Sequence, residues 1–272
     1  MPAERPERTG SLQRRSAART AVVWDALVEV LERAGGSSAP VSVLDVGGGT
    51  GGFAVRVAEL GHRVMVVDPS PDALAILARR AEERGVADLV TGRQGDLDSL
   101  PGLLAQGESP GTDDPSDDPS DDPAAGAVDV VLCHGVLEIV EDPAAALAVL
   151  ARALRPGGTL SLLVNQRHAA VMARAMAGHF TAARSMLENP ADPPAGPPRR
   201  FAVEEVTAVL DQVGLELRSV HGVRVFVDLV PSSLVDLEPG AAQALVDLEH
   251  AVSTRPEYLT LATQLHVVST RR

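Results

Sequence analysis

The sequence predicts an α/β fold, with a mostly parallel sheet covered by helices on both faces. Three observations predict it. Short β-rich runs alternate along the chain with amphipathic segments at helical spacing. The runs VSVLDV (41–46), RVMVVD (63–68) and VDVVLCHG (128–135) are nearly continuous in apolar residues, as strands buried on both faces must be. A glycine cluster, 47–52, stands between the first run and a helix, where an open α/β sheet receives ligands.

In chain order, residues 1–18 are polar and Arg-rich, and are expected to form a flexible tail. Residues 19–34 read as a helix with Val22, Val23, Ala26, Val30 and Leu31 on one side, stopped by Gly35-Gly36. The first strand, the glycine turn and a helix over 52–60 follow, then the second strand. Ser70 fits an N-cap with Pro71 at the first helical position, and apolar residues recur at helical spacing until Gly85. A weaker third strand lies within 88–96 and the fourth within 128–135. Asp142-Pro143 opens a helix that Pro156-Gly157-Gly158 ends, and TLSLLVN (159–165) is the fifth strand. Beyond it come a helix over 167–187, a Pro-rich linker over 188–200, a helix over 203–213 and a strand-like stretch over 215–229. A helix over 237–252 and a closing strand over 261–270 complete seven strands. Residues 107–126 break the pattern: they hold a DDPS repeat, seven acids and no base, and are expected to form a disordered insertion.

Composition narrows the function. Apolar residues make up 45% of the 272, enough for a core, which excludes a wholly disordered chain. No apolar run reaches the ~18 residues of a membrane span, so a cytoplasmic protein is expected. One cysteine, Cys133, excludes a disulfide framework and a Cys-based zinc cluster. The net charge of -13 argues against broad electrostatic binding of nucleic acid, although the insertion alone supplies seven of the acids.

Two cofactors compete for the glycine loop. Gly47, Gly49 and Gly52 satisfy the G-x-G-x-x-G of dinucleotide folds. Asp45, Gly47, Gly49 and Gly51 satisfy the D-x-G-x-G-x-G of S-adenosylmethionine (SAM) methyltransferases. Asp68, at the end of the second strand, suits the ribose of either. The loop itself carries no cation, which a sulfonium cofactor without phosphates does not need.

Further blocks carry a family resemblance. These are RTAVVW (19–24), LCHGVLEIVEDP (132–143), LSLLVNQRHAAVMARAMAGHF (160–180), GVRVF (222–226) and RPEYLTL with HVV (255–268). Together they resemble the tRNA 5-carboxymethoxyuridine methyltransferases (CmoM), across nearly the whole chain. The resemblance implies a Rossmann-like class I methyltransferase fold over 19–272, with a seven-stranded sheet and a small helical cap within 167–200. It implies SAM as methyl donor and esterification of a carboxylate on a modified wobble uridine. Carried over by position, Arg19 would meet the cofactor's methionine carboxylate, and Gly47, Gly48, Gly49 and Gly51 would line the loop. Asp68 would take the ribose, Gln94, Gly95 and Asp96 would flank the adenine, and His134 would close near the transferring methyl. His168 and Arg224 would face the acceptor. The family's Tyr-Asn-Ala-His stands here as Asn165-Gln166-Arg167-His168, and its run of lysines as ENPADPPAGPPRR. A carboxylate acceptor is already ionised at neutral pH and needs no general base; a phenol or amine would want one, and His134 or His168 could serve. The rival functions are a small-molecule methyltransferase of specialised metabolism, a SAM- or nucleotide-binding protein without catalysis, and an NAD-dependent oxidoreductase.

Overall fold

A computed structural model describes residues 6–35, 39–105, 126–188, 198–235 and 240–272, without the side chains of 6–16 and 232–233. The helix α1 (Pro6–Gly35) is followed by β1 (Ser42–Val46), α2 (Ala54–Glu59), β2 (Arg63–Asp68), α3 (Pro71–Glu83), β3 (Val90–Gln94) and α4 (Leu100–Ala105). Next come β4 (Val128–His134), α5 (Pro143–Ala153), β5 (Leu154–Asn165), α6 (Arg167–Met176), α7 (Phe180–Glu188) and α8 (Val203–Gln212). The chain closes with β6 (Leu215–Val223), α9 (Ser232–Val235), α10 (Ala241–Ser253), α11 (Pro256–Leu259) and β7 (Gln264–Arg271). The seven strands form one sheet in the order β3-β2-β1-β4-β5-β7-β6. The pairings from β3 through β5 are all parallel.

The expected seven-stranded α/β fold is therefore present. Every residue of β1 is buried, as are five of the six in β2, which is why these strands carry no polar alternation. Asp129, at the start of β4, ties the edge of this core. Its carboxylate accepts from Ser42 N at 2.8 Å, from Ser42 Oγ at 2.7 Å and from Arg155 Nη1 at 2.8 Å.

Four boundaries differ most from the sequence reading, and the closing strand expected from residue 261 begins at Gln264. α1 begins at Pro6 rather than near residue 19, so residues 6–18, expected within a flexible tail, extend the helix; a proline is favourable in a first helical turn, where its missing N–H is not needed. The fifth strand begins at Leu154. Its register jumps from Val128↔Leu154 to Val130↔Thr159, so the RPGG turn is a bulge within the strand. The single helix expected over 167–187 is two helices, broken at Gly178, whose φ of 80° is left-handed. The strand expected over 215–229 ends at Val223, since Arg224 has φ 62° and the amides after it bond to a side chain rather than a strand. The acidic insertion and most of the Pro-rich linker lie outside the described residues.

The chain divides into two compact units. One comprises 28–164, 203–219 and 267–272, and holds the strand-helix alternation with the glycine loop. The other comprises 1–27, 165–202 and 220–266. Its own core gathers Ala18, Val227, Val235 and Leu245, with Val225, Val252 and Ala262 in a second cluster.

Candidate active site

The glycine loop is shaped by close packing. Gly47, Gly49 and Gly51 have φ of 70°, 55° and 79°, a region in which a side chain is strained. A Cβ on Gly47 would strike Val136, one on Gly51 would strike Leu77, and one on Gly48 would lie 2.5 Å from Asp45 Oδ2. Gly52 has neither constraint: its φ is ordinary and a Cβ there meets nothing within 4 Å. The glycines that the backbone requires are thus those of D-x-G-x-G-x-G. The third glycine of the dinucleotide pattern is not among them.

Two aspartates hold the loop. Asp68, at the end of β2, accepts Gly49 N on Oδ2 and Ser70 N on Oδ1, each at 2.9 Å. An ionised carboxylate has about four lone-pair sites, so capacity remains for a ligand diol. Asp45 lies buried beneath Gly48. Burial first, and the charge of Asp68 second, push its carboxyl up to about 7.

A cavity of about 710 Å³ opens at the C-terminal ends of β1, β2 and β4. β1 and β4 are adjacent while their chain neighbours diverge, which makes this the topological switch point where open α/β sheets bind ligands. Gly47, Asp68, Gly95, Asp96 and His134 line it, with Leu97, Val136, Ile139 and Val140 as apolar walls. Among the described residues its charged lining is acidic: Asp68, Asp96, Asp98, Glu141 and Asp142. This lining suits a cation with an apolar body, and no Arg or Lys for a pyrophosphate stands among these described residues. Asp96 is partly committed. Ser99 N and Ser99 Oγ both donate to it, at 3.0 and 2.8 Å, and these bonds, the backbone one foremost, hold its carboxyl below the usual range.

His134 sits at the end of β4. Its Nε2 is 3.0 Å from Ser161 Oγ, and its ring meets Phe53 edge-on at 4.9 Å between centroids. Burial lowers its pKa to about 4. Its neighbour Cys133 is wholly buried, and burial raises its thiol to about 12, so it is a packing residue and not a nucleophile.

The other expected site residues fall elsewhere. Gln94 does not line the cavity; its amide donates to Pro69 O at 3.3 Å. Asp45, Gly48, Gly49 and Gly51 shape the loop without lining the cavity. Arg19, His168 and Arg224 belong to the second unit. There, Arg19 and Arg224 converge on Asp228. His168 is exposed, its Nδ1 3.4 Å from Gln166 Nε2, while Gln166 itself is buried and caps α6 by accepting Ala169 N at 3.0 Å.

Sequence reasoning missed Phe53 and Ser161 beside His134, and Asp228 and Glu249 in the second unit. Asp228 had a signal, an acid four residues after Arg224 in one short turn. Glu249 had none, because it meets residues 225–227 only through the tertiary fold.

A family described as "Methyltransferase domain" matches residues 44–160, the stretch that carries the loop and the cavity. Among curated proteins, the chain is 30% identical to the tRNA 5-carboxymethoxyuridine methyltransferase of Escherichia coli (strain K12), over 251 residues covering 92% of this chain and 87% of that one. Among solved structures, it resembles magnesium protoporphyrin IX methyltransferase from Synechocystis PCC 6803, with TM-score 0.55 and 15% identity over 100% of this chain and 90% of that one. An S-adenosylmethionine-dependent methyltransferase from Mesorhizobium loti gives TM-score 0.54 and 18% identity over 93% and 100%. These two likenesses concern the fold alone. Loop, cavity and whole-length similarity agree: this chain is a SAM-dependent enzyme and belongs to the tRNA 5-carboxymethoxyuridine methyltransferase family of class I methyltransferases.

Proposed function

We propose that the protein transfers the methyl group of SAM to a carboxylate oxygen, and that the acceptor is 5-carboxymethoxyuridine at the tRNA wobble position. SAM supplies an electrophilic methyl on a sulfonium, which an oxygen nucleophile displaces in line. The residues have to bind, orient and desolvate; they do not have to remove a proton, since a carboxylate with pKa near ~4 is already ionised.

One observation carries the choice of a carboxylate. His134, the imidazole lining the cavity, has its pKa lowered to about 4, which makes it a poor base at neutral pH. An acceptor without a proton to lose fits such a site better than a phenol or an amine. In this reading Gly47, Gly48, Gly49 and Gly51 form the loop on which the donor lies, with Asp45 beneath it. Asp68 takes the ribose, Gln94, Gly95 and Asp96 border the adenine, and His134 packs near the methyl. Arg19 faces the methionine carboxylate, and His168 and Arg224 serve the acceptor. The name of the Escherichia coli relative supports the tRNA assignment.

The experiment is methyl transfer from radiolabelled SAM to tRNA isolated from a strain lacking the gene, read by nucleoside mass spectrometry. The expected product is the methyl ester of 5-carboxymethoxyuridine. Transfer to small carboxylic acids with none to that tRNA would instead favour a small-molecule enzyme on the same scaffold.

A further inference from the structure

We infer that Asp228 and Glu249 are positioning residues that hold Arg19 and Arg224 together as a paired-guanidinium receptor for a carboxylate. This rests on the methyl-transfer reading above, and it is carried by an arrangement confined to one unit of the fold.

The starting point is strain. Arg224 is the one non-glycine residue with positive φ among the described residues, at 62°. Such a backbone persists only where its surroundings over-determine it, and it marks functional turns. Two groups fix this one. Its carbonyl accepts Thr263 Oγ1 at 3.0 Å. The next three amides, Val225, Phe226 and Val227, all donate to the carboxylate of Glu249, at 2.9, 2.8 and 2.7 Å. Successive N–H groups turned inward form an anion-binding nest. Here the protein fills that nest with its own side chain, Glu249 from α10, which is 1% exposed.

The turn so fixed presents Arg224 to Asp228. Arg224 Nε donates to Asp228 Oδ2 at 2.7 Å, its Nη2 lies 2.5 Å from the same oxygen, and its Nη1 donates to Gln264 Oε1 at 3.3 Å. The other oxygen, Oδ1, accepts Nε and Nη2 of Arg19 at 3.1 and 2.8 Å. One carboxylate therefore bridges two guanidiniums, and the trio carries a formal +1. The second guanidinium brings spare N–H donors, since each guanidinium has five. A carboxylate is the matching ligand, because it accepts the planar fork bidentately. Without Asp228 the two like charges would repel and splay.

The reading above divides the pair between the donor's amino-acid end and the acceptor; joined through one Asp228 the two guanidiniums act as one receptor, and the test decides which of the two carboxylates it takes. Full-length protein and the variants Asp228→Asn, Asp228→Glu and Glu249→Gln are titrated with S-adenosylhomocysteine by calorimetry. Protein saturated with that compound is then titrated with 5-carboxymethoxyuridine and, as a control without a carboxylate, 5-methoxyuridine. The expected result is a loss of about tenfold or more in affinity for a carboxylate ligand in Asp228→Asn. Melting temperature stays near wild type, Asp228→Glu restores part of the loss, and Glu249→Gln weakens the same ligand. A loss confined to the carboxylated nucleoside assigns the receptor to the acceptor; a loss on S-adenosylhomocysteine assigns it to the donor. Folded Asp228→Asn protein that binds both as wild type does would overturn the inference. Wild-type protein that fails to distinguish the two nucleosides would sink the carboxylate-acceptor reading, while the S-adenosylhomocysteine titration would still decide the receptor.

Discussion

At the scale of single residues, the loop makes two opposed predictions from neighbouring glycines. Gly51 needs its left-handed φ and would drive a Cβ into Leu77, whereas Gly52 opens onto empty space. Gly51→Ala is expected to cost about 1–3 kcal/mol of stability, from overpacking and backbone strain, and to abolish measurable S-adenosylhomocysteine binding. Gly52→Ala should change stability by less than about 0.5 kcal/mol and leave that binding intact. Equal damage from both would mean that the loop is not held as described. Asp45 gives a prediction with a sign. Folding raises its pKa from 3.8 to about 7, so across that window the native state keeps a proton the unfolded chain has lost. The associated stability is present below 3.8 and is lost as the pH rises towards 7. Asn cannot ionise, so Asp45→Asn should gain on wild type as the pH rises, by up to about 4 kcal/mol at neutrality, since each pKa unit is ~1.36 kcal/mol. His134 has the opposite sense, losing stability as the pH falls from 6.5 towards about 4, and is common to both proteins. Urea unfolding at acid and neutral pH checks this; an Asn variant whose stability relative to wild type does not rise between acid and neutral pH contradicts it. Ion pairs and pKa shifts of this kind were not legible in the sequence, because each depends on burial.

At the scale of elements, what could be read depended on whether the signal was local. Ser70 caps α3 by accepting Ala73 N at 3.2 Å, and Asp142 caps α5 by accepting Ala144 N and Ala145 N at 2.9 and 3.1 Å. Both stood in the sequence as cap-then-proline pairs, and their physics spans only three residues. Ser70→Ala is accordingly expected to cost about 1 kcal/mol, seen as a lower melting temperature with S-adenosylhomocysteine affinity little changed. The early end of β6 was not readable: Leu215 to Leu229 is strand-like throughout, and only the distant Glu249 diverts its amides. The break between α6 and α7 lay in plain sight at Gly178. A glycine within an Ala- and Met-rich run reads as tolerated until its φ of 80° shows it to be a terminus. Gly178→Ala should destabilise by about 1 kcal/mol for that reason, measured by denaturant unfolding.

At the scale of the whole molecule, charge sets a problem that the tRNA reading has to meet. The chain carries -13, and phosphate contacts dominate affinity for nucleic acid. The imbalance is uneven, however. Residues 165–202 hold Arg167, Arg174, Arg184, Arg199 and Arg200 against Glu188 and Asp192, which makes this stretch basic within an acidic protein. Arg184 is largely exposed and pairs along its own helix with Glu188, and Phe180 beside it is 71% exposed. Exposed i,i+4 pairs are worth little, so this cation is available to a stronger anion at small cost. If tRNA is the acceptor, its phosphates should engage this stretch. The KM for tRNA should then rise several-fold between about 50 and 200 mM salt, because even a few phosphate contacts confer a steep salt dependence. The double variant Arg174→Glu and Arg184→Glu should raise the KM for tRNA about tenfold or more and flatten the salt dependence, while leaving kcat and the affinity for S-adenosylhomocysteine unchanged. The free nucleoside, without phosphates, should respond neither to salt nor to the double variant. A tRNA reaction insensitive to both would mean that this enzyme does not recognise its acceptor through phosphates, and the net charge would then weigh decisively for a small carboxylic acid in place of tRNA.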